Sequence, residues 1–340
     1  MSFVVFSPRD AVFAGRLAQR LTELNGTPPA HFSVEPRGDA PAVVTGDALT
    51  WDGVRLDAAR GVYLGGFRYE DPVLPPPSLE ADWSFWQCRH VLRQQSYSFM
   101  WSLLSRVEAA GVRLYNPPSA HLNMFCRQRP LDQLRAAGSP AVAATLTNDP
   151  ATAEAAQARS PLTVWRPANG RAAWQPFRDK QRRHLVGADR PPVLLAAAGT
   201  GVLTRLYVVN GEIALALGAA APARDAVERF EVLLGMDPAT LPGAAAAARR
   251  AAEILNLNWM ALTVLANDDG VTIYDVDPDP AADDLPAAVQ AHLADALACA
   301  MTGRAIPAAP ADLREPRDTL LLRRMLVRQF EMEATKHAPA

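Results

Sequence analysis

Two acidic residues, two positions apart, end an apolar run in the C-terminal third of the chain. The run is GVTIYDVDPDP, from Gly270 to Pro280, and the two residues are Asp275 and Asp277. Because side chains alternate along a strand, both carboxylates should point to the same face. Such a pair at a strand end suits Mg²⁺, which takes one or two carboxylates together with substrate phosphates. A strand that ends in an acidic turn is also consistent with these residues, since Asp and Pro are common in turns.

The strand that carries these aspartates is the second half of a predicted hairpin, WMALTVLANDDGVTIYDVD, which turns at Asp268 to Gly270. An earlier hairpin, TRLYVVNGEIALAL, turns at Asn210-Gly211, a strong two-residue turn signal. Helices are predicted in AVERFEVLLGM, in LPGAAAAARRAAEILNL, from about Leu285 to Met301, and in a final packing segment after Thr319.

The first 118 residues are predicted to form an α/β lobe. SFVVF and GVYLGGF are typical of buried strands, and helices are expected from Ala11 to Leu24 and from about Asp82 to Ala110. Residues 119–190 then carry a helix from Phe125 to Ala137, strands in PAVAATLTND and PLTVWRP, a return through ANGRAAWQPF, and a solvated loop, RDKQRRH. Residues 191–340 open with PPVLLAAAGTG and contain both hairpins. The chain is therefore predicted to be an α+β protein of three lobes.

Composition excludes several classes of protein. The chain has 34 basic and 36 acidic residues, a net charge of −2, so it offers no basic field for nucleic acid. No apolar run is long enough to cross a bilayer, and the first residues lack the features of a signal peptide. Three widely spaced cysteines indicate a reducing compartment, which predicts a cytoplasmic protein without a disulfide framework. Whether the chain forms a homo-oligomer is left open.

Four segments, in order, resemble the motifs of the ATP-grasp superfamily, and the likeness covers nearly the whole chain. They are LYNPPSAHLNMFCRQRPLDQLRAAGSPAVAATLTND, VWRP, LLAAAGTGVLTRLYVVNGEIALA and the DVD of the opening strand. The branch that they resemble contains ribosomal-protein glutamate ligases, glutathione synthetases and the enzymes that cross-link ribosomally made peptides. The resemblance implies ATP and Mg²⁺ as cofactors. It also implies a ligase that activates a carboxylate as an acyl phosphate, which an amine on a peptide or small metabolite then attacks.

The resemblance also assigns the site residues. Arg127 and Arg166 stand at the positions of phosphate-binding lysines, and Arg205 matches an arginine near the phosphates, where it would be the catalytic cation. Ala196 and Ala197 fall at the nucleotide-binding Gln-Glu positions, and Asp275 and Asp277 are the implied metal ligands. Arginine suits phosphate because its planar fork matches phosphate oxygens.

Three departures from the family pattern support a second hypothesis. Ala196 and Ala197 cannot hydrogen-bond through their side chains. Only Gly170 is left of the glycine-rich flap, and Thr263 stands where a first metal aspartate is expected. The alternative is therefore a catalytically inactive protein of the same fold that serves as a binding partner or scaffold.

Overall fold

The structure is a computed structural model. It describes residues 2–34, 42–45, 48–66, 83–121, 123, 126–160, 162–168, 174–183, 185, 191–199, 201–219, 233–280, 282–310 and 313. The chain divides into two compact units. Unit 1 comprises Met1–Leu122 and Leu297–Ala305, and unit 2 comprises Asn123–Ala296 and Ile306–Ala340. None of the described helices is both long enough and apolar enough to span a membrane.

Unit 1 is built on a parallel sheet. The described strands of this unit are β1 (Phe3–Ser7), β2 (Ala30–Ser33), β3 (Ala42–Val44), β4 (Leu49–Trp51), β5 (Val54–Arg55), β6 (Gly61–Leu64) and β7 (Leu114–Tyr115). The main sheet has the order β2-β1-β6-β7 with parallel pairing throughout, and β3-β4-β5 form a small antiparallel sheet. The two central strands, β1 and β6, are buried along their whole length. Strands buried on both faces carry continuous apolar runs, which explains SFVVF and GVYL.

In the described part of unit 1, three complete helices accompany the sheets. They are α1 (Val12–Asn25), α2 (Trp83–Ala109) and α3 (Pro118–His121). Helix α1 buries Phe13, Leu17 and Leu21 at helical spacing and ends at Gly26, whose positive φ makes it a typical C-terminal cap. Met100, Leu103, Leu104 and Val107 of α2 belong to the main core of this unit. The predicted strands and the two long helices are therefore confirmed in position.

Unit 2 contains two antiparallel sheets. The first has the order β10-β9-β11-β8 and the second β14-β13-β12-β15-β16. The strands are β8 (Ala144–Thr147), β9 (Thr163–Pro167), β10 (Gln175–Pro176), β11 (Val193–Ala197), β12 (Val202–Val209), β13 (Glu212–Ala219), β14 (Leu233–Met236), β15 (Trp259–Asn267) and β16 (Gly270–Asp277). The helices are α4 (Gln128–Ala136), α5 (Pro150–Arg159), α6 (Asp179–Arg183), α7 (Ala244–Leu255) and α8 (Ala287–Thr302). The last six residues of α8 belong to unit 1.

Both predicted hairpins are present, as β12–β13 and β15–β16. Each contains a bulge. Ala214 is the extra residue of β13, and its carbonyl oxygen lies 2.9 Å from the His292 Nε2 atom. Tyr274 is the extra residue of β16, because Ile273 pairs with Val264 and Asp275 pairs with Thr263. A bulge re-aims side chains and increases local twist, so the second bulge lies directly beside the two aspartates.

Two sequence predictions in unit 2 are wrong. The described part of AVERFEVLLGM, Leu233–Met236, is a strand rather than a helix, because it pairs with β13. RDKQRRH contains the short helix α6 instead of a loop, and the Gln181 side chain accepts the Arg178 N–H at its start. The final packing segment after Thr319 and the flap glycine Gly170 lie outside the described residues. The three-lobe division of the chain stays a prediction.

Candidate functional site

Three arginines and two aspartates meet within unit 2. We name Arg127, Arg166, Arg205, Asp275 and Asp277 the Arg–Asp cluster. Arg127 immediately precedes α4, Arg166 lies on β9, Arg205 lies on β12, and both aspartates lie on β16. The cluster therefore joins side chains from both sheets of this unit, although its members are up to 150 residues apart in sequence.

Sheet register explains why Arg205 faces the aspartates. On β12 and β15 Arg205 pairs with Thr263, and Thr263 pairs with Asp275 on β16. These three residues form one row across the sheet on a single face. Asp277 lies two residues further along β16 on the same face. Thr263, at the position where the resemblance expects a metal aspartate, is buried and lies 3.4 Å from the Arg205 Nη1 atom through its hydroxyl.

Asp275 accepts contacts from two guanidinium groups. Its Oδ1 atom lies 2.9 Å from the Arg166 Nη1 atom and 3.4 Å from the Arg127 Nη1 atom. Arg127 also donates to the backbone carbonyl of Val276 at 2.7 Å. Both arginine side chains are 1% exposed, whereas Asp275 is 13% exposed. Arg127 and Arg166 are therefore held inside the protein by an anion of the protein itself.

Asp277 has both carboxylate oxygens engaged. The Arg205 Nη2 atom lies 2.8 Å from Oδ2, and the Asp279 N–H donates to Oδ1 at 3.2 Å. The second contact is an Asx turn at the strand end, stabilised by the prolines on either side of Asp279. Asp277 is thus both a partner of Arg205 and the turn residue that the alternative interpretation of this segment expects.

Arg205 stays fully charged in this environment. Burial opposes the charged form, but Tyr207, Asp277 and Asp275 outweigh it and raise the pKa of the guanidinium above its ordinary value. The guanidinium carbon lies 5.6 Å from the centre of the Tyr207 ring. Because its side chain is 19% exposed, Arg205 is the cation of the cluster most open to an incoming ligand.

An aromatic pair beside the cluster also links the two sheets of unit 2. Trp174 and Tyr274 meet edge to face with ring centres 6.3 Å apart, and the Trp174 indole N–H donates to the Tyr274 carbonyl at 3.0 Å. The Tyr274 hydroxyl donates to the Ala197 carbonyl at 3.0 Å. Sequence reasoning missed both aromatics. The signal was a tryptophan in the segment where the resemblance expects a glycine-rich flap.

Ala196 and Ala197 close β11 next to this aromatic pair. Ala196 is buried and pairs with Ala144 and Val164, while Ala197 is exposed. Neither side chain offers a hydrogen-bonding group. A nucleotide base could be read here only by backbone atoms, and the Ala197 carbonyl already accepts the Tyr274 hydroxyl.

These residues do not fit a resident magnesium ion. Both oxygens of Asp277 and one oxygen of Asp275 accept hydrogen bonds, and the third expected ligand is a threonine. Three arginines and two aspartates give the cluster a formal charge of +3 − 2 = +1. Among the described residues, no group of three or more histidines, cysteines or acidic residues has a metal-binding arrangement. The assignment of Asp275 and Asp277 as metal ligands stays a prediction.

Solved structures of known proteins resemble this fold. No family model matches the chain, and the curated proteins contain no match. Among solved structures, the ATP-grasp ligase PsnB complexed with a minimal precursor is 20% identical, with a TM-score of 0.68 over 89% of this chain and 98% of that one. Another structure of PsnB holds minimal precursor, Mg and ADP.

Two further solved structures are similar to this chain. The macrocyclase MdnC from Microcystis aeruginosa MRC, bound with precursor peptide MdnA, is 13% identical, with a TM-score of 0.65 over 87% of this chain and 99% of that one. A RiPP-associated ATP-grasp ligase from Chryseobacterium gregarium, in complex with ADP and a leader and core peptide, is 12% identical. Its TM-score is 0.66, over 93% of this chain and 100% of that one. At these identities the likeness concerns the fold.

Proposed function

Since this chain has the ATP-grasp fold, we propose that it is an ATP-dependent ligase that joins a carboxylate to an amine on a peptide substrate. The observation that carries the proposal is the Arg–Asp cluster, which brings three cations to one place between the sheets of unit 2. The peptide class of substrate is supported by PsnB and MdnC, whose structures contain precursor peptides. Cytoplasmic location and a homo-oligomer remain predictions.

The proposed reaction has two steps. A substrate carboxylate oxygen attacks the γ-phosphorus of ATP, which forms an acyl phosphate and releases ADP. The amine nitrogen then attacks the acyl carbon, so that an amide bond forms and inorganic phosphate leaves with the bond electrons. Both steps develop negative charge on phosphate oxygens, and fixed cations stabilise such charge strongly where water is excluded.

Each residue of the site has a proposed part in this reaction. Arg205, the most accessible cation, contacts the transferring phosphoryl group. Arg127 and Arg166 hold the remaining phosphates, and the backbone at Ala196 and Ala197 lies against the base. Because Arg205 touches Asp277 and Thr263, its guanidinium is oriented before the ligand arrives. Such pre-orientation lowers the cost of reaching the reactive geometry.

A nucleotide titration tests the proposal at its first step. AMPPNP is titrated into the wild-type protein and into Arg205→Met, with heat of binding as the readout. We expect the variant to bind at least about tenfold more weakly, which corresponds to about 1.4 kcal/mol. Arg249→Met is the matched control, because Arg249 is an exposed arginine of α7 outside the cluster. Absence of wild-type binding at millimolar nucleotide would refute the proposal.

The chemical step has its own test. Peptides with acidic side chains are incubated with ATP and hydroxylamine, which converts an acyl phosphate into a stable hydroxamate. We expect hydroxamate and ADP to form in equal amounts with an accepted peptide, and neither to form with Arg205→Met.

A catalytically inactive binding protein is the second candidate. It is favoured by the pairing of both aspartates with arginines and by Thr263, Ala196 and Ala197. This candidate predicts that peptides bind without ADP formation, and that a folded variant carrying Asp275→Asn and Asp277→Asn binds them as the wild type does.

A further inference from the structure

We infer that in this chain the cationic charge at the nucleotide phosphates comes from Arg127, Arg166 and Arg205, with Asp275 and Asp277 as their counter-anions instead of magnesium ligands. The inference rests on the proposed function and concerns its ion requirement. It makes nucleotide binding independent of Mg²⁺. It also makes Asp275 a competitor of the phosphates.

Both carboxylate oxygens of Asp277 already have hydrogen-bonding partners. Its two oxygens accept the Arg205 guanidinium at 2.8 Å and the Asp279 N–H at 3.2 Å, and its side chain is 3% exposed. Mg²⁺ requires near-octahedral oxygen ligands and gives up its water reluctantly. To ligate it, Asp277 would have to leave a charged partner and open the turn that ends β16.

Asp275 lies in a positively charged environment. Its Oδ1 atom already faces two guanidinium groups, so an approaching divalent cation meets two positive charges at the same oxygen. Arg127 is additionally fixed by the Val276 carbonyl, which keeps it in place whatever the carboxylate does. With three arginines beside Asp275, Asp277 and the neighbouring buried Asp279, the site has no net negative charge that would favour a divalent cation.

The residues of the Arg–Asp cluster differ in how exposed they are to solvent. Arg127 and Arg166 are 1% exposed, but Arg205 is 19% and Asp275 is 13% exposed. An anion therefore reaches the cluster where Arg205 and Asp275 meet the solvent. Phosphate oxygens that bind there would compete with the Asp275 carboxylate for the donors of Arg127 and Arg166, since arginine forms charge-assisted hydrogen bonds with both carboxylate and phosphate.

The test compares nucleotide affinity with and without the metal. AMPPNP is titrated calorimetrically into the wild type, in EDTA and in excess Mg²⁺. We expect the two dissociation constants to agree within about threefold, a difference below about 1 kcal/mol. Asp275→Asn is expected to bind AMPPNP about tenfold more tightly in EDTA, because the competing charge is gone while the side-chain shape remains.

Asp269→Asn provides the matched control. Asp269 lies exposed at the turn of the same hairpin, so this variant changes net charge equally but leaves the cluster intact. We expect its affinity to equal that of the wild type. An affinity increase of the same size in both variants would mean that net charge alone acts, which would overturn the competition at Asp275.

The titrations distinguish a failure of the magnesium-independent binding from a failure of the proposed ligase function. If Mg²⁺ tightens wild-type binding tenfold or more and Asp275→Asn abolishes that gain, the aspartates are metal ligands, and the inference falls while the proposed ligase stands. If no nucleotide binds in either buffer, both fall. Should Asp275→Asn fail to fold, as judged by circular dichroism, the wild-type comparison of EDTA with Mg²⁺ decides alone.

Discussion

Arg166 shows how strongly single residues bind the two sheets of unit 2 together. Arg166 lies on β9 with its side chain almost fully buried, and its guanidinium group contacts Asp275 on β16 of the other sheet. Its guanidinium carbon also lies 5.7 Å from the centre of the Trp174 ring. A buried ion pair stabilises a protein little more than a well-packed apolar pair does. Removing one partner, however, leaves the other charge buried and unpaired, which is strongly destabilising.

We therefore predict that Arg166→Met destabilises the protein by about 3 kcal/mol, since Asp275 would keep only the longer contact with Arg127. Denaturant unfolding followed by circular dichroism measures the change. The control is Arg20→Met. Arg20 is 37% exposed and lies 2.7 Å from Glu23 on the surface of α1, so this variant should cost less than about 1 kcal/mol. Equal losses in the two variants would contradict the prediction.

His31 provides a pH-dependent contribution to stability in unit 1. The hydroxyl of the buried Ser7 lies 3.0 Å from the Pro8 carbonyl oxygen and forms a hydrogen bond of 2.8 Å with the His31 Nε2 atom. His31 is exposed on one side, and its partial desolvation against β1 lowers its pKa below the ordinary value. The unfolded chain therefore takes up its proton first as the pH falls.

This linkage predicts that His31 contributes stability above about pH 6.5, and that the contribution is lost as the pH falls through the lowered pKa. Unfolding free energies of the wild type and of His31→Gln, measured between about pH 5 and pH 7.5, test it. The wild-type curve should rise more steeply with pH, because glutamine retains a donor but does not titrate. Parallel curves would show that His31 has no such role.

At the scale of elements, local signals explain what was predictable. The two hairpins of unit 2 follow from Asn210-Gly211 and Asp268 to Gly270, because a two-residue turn fixes its own register. Helix α5 was missed although its start is marked: Asp149 caps it and Pro150 occupies the first turn. Residues 233–236 form a strand because they pair with β13. Strand formation that depends on a neighbouring strand cannot be predicted from the propensities of the residues alone.

The site residues divide in the same way. The five members of the Arg–Asp cluster were identified by motif resemblance, and the structure brings them together. Their pairing was not predictable, because the contact of Arg127 with Asp275 joins residues that lie 148 positions apart in sequence. The contact between Trp174 and Tyr274 was not predictable for the same reason, because the two residues lie 100 positions apart in sequence.

The start of β12 tests the packing of the hairpin sheet. Gly201 has a φ of +149°, and a Cβ atom there would lie 2.3 Å from the Ala266 carbonyl oxygen of β15. Gly201→Ala should therefore lower the free energy of unfolding by about 2 kcal/mol, because two backbones would have to separate.

Gly15→Ala is the matched control for this substitution. Gly15 lies within α1, and an added Cβ meets nothing within 4 Å. Alanine is favoured over glycine in a helix interior by about 0.5–1 kcal/mol, so this variant should gain stability. The two variants are compared by thermal melting. A loss at both positions, or at neither, would refute the assignment of the cost at Gly201 to a backbone clash.

For the whole molecule, the division into two units predicts where a ligand acts. Every member of the Arg–Asp cluster lies in unit 2. A ligand that binds only the native state stabilises it by about 2.7 kcal/mol at one hundred times its dissociation constant. We expect saturating AMPPNP to slow amide hydrogen exchange in β12, β15 and β16 more than in β1 and β6. Equal protection in all five strands would contradict a site confined to unit 2.

The extra residue in β16 also affects how this chain aligns with its relatives. Removing one residue from a strand normally moves all following side chains to the opposite face. At Tyr274 the ladder already counts two residues against one, so a chain without that residue would keep Ile273 opposite Val264 and Asp275 opposite Thr263. Position 274 is thus the one place within the paired part of β16 where an alignment gap leaves both faces unchanged. A gap placed after Asp277 would instead align both aspartates with residues of the wrong face.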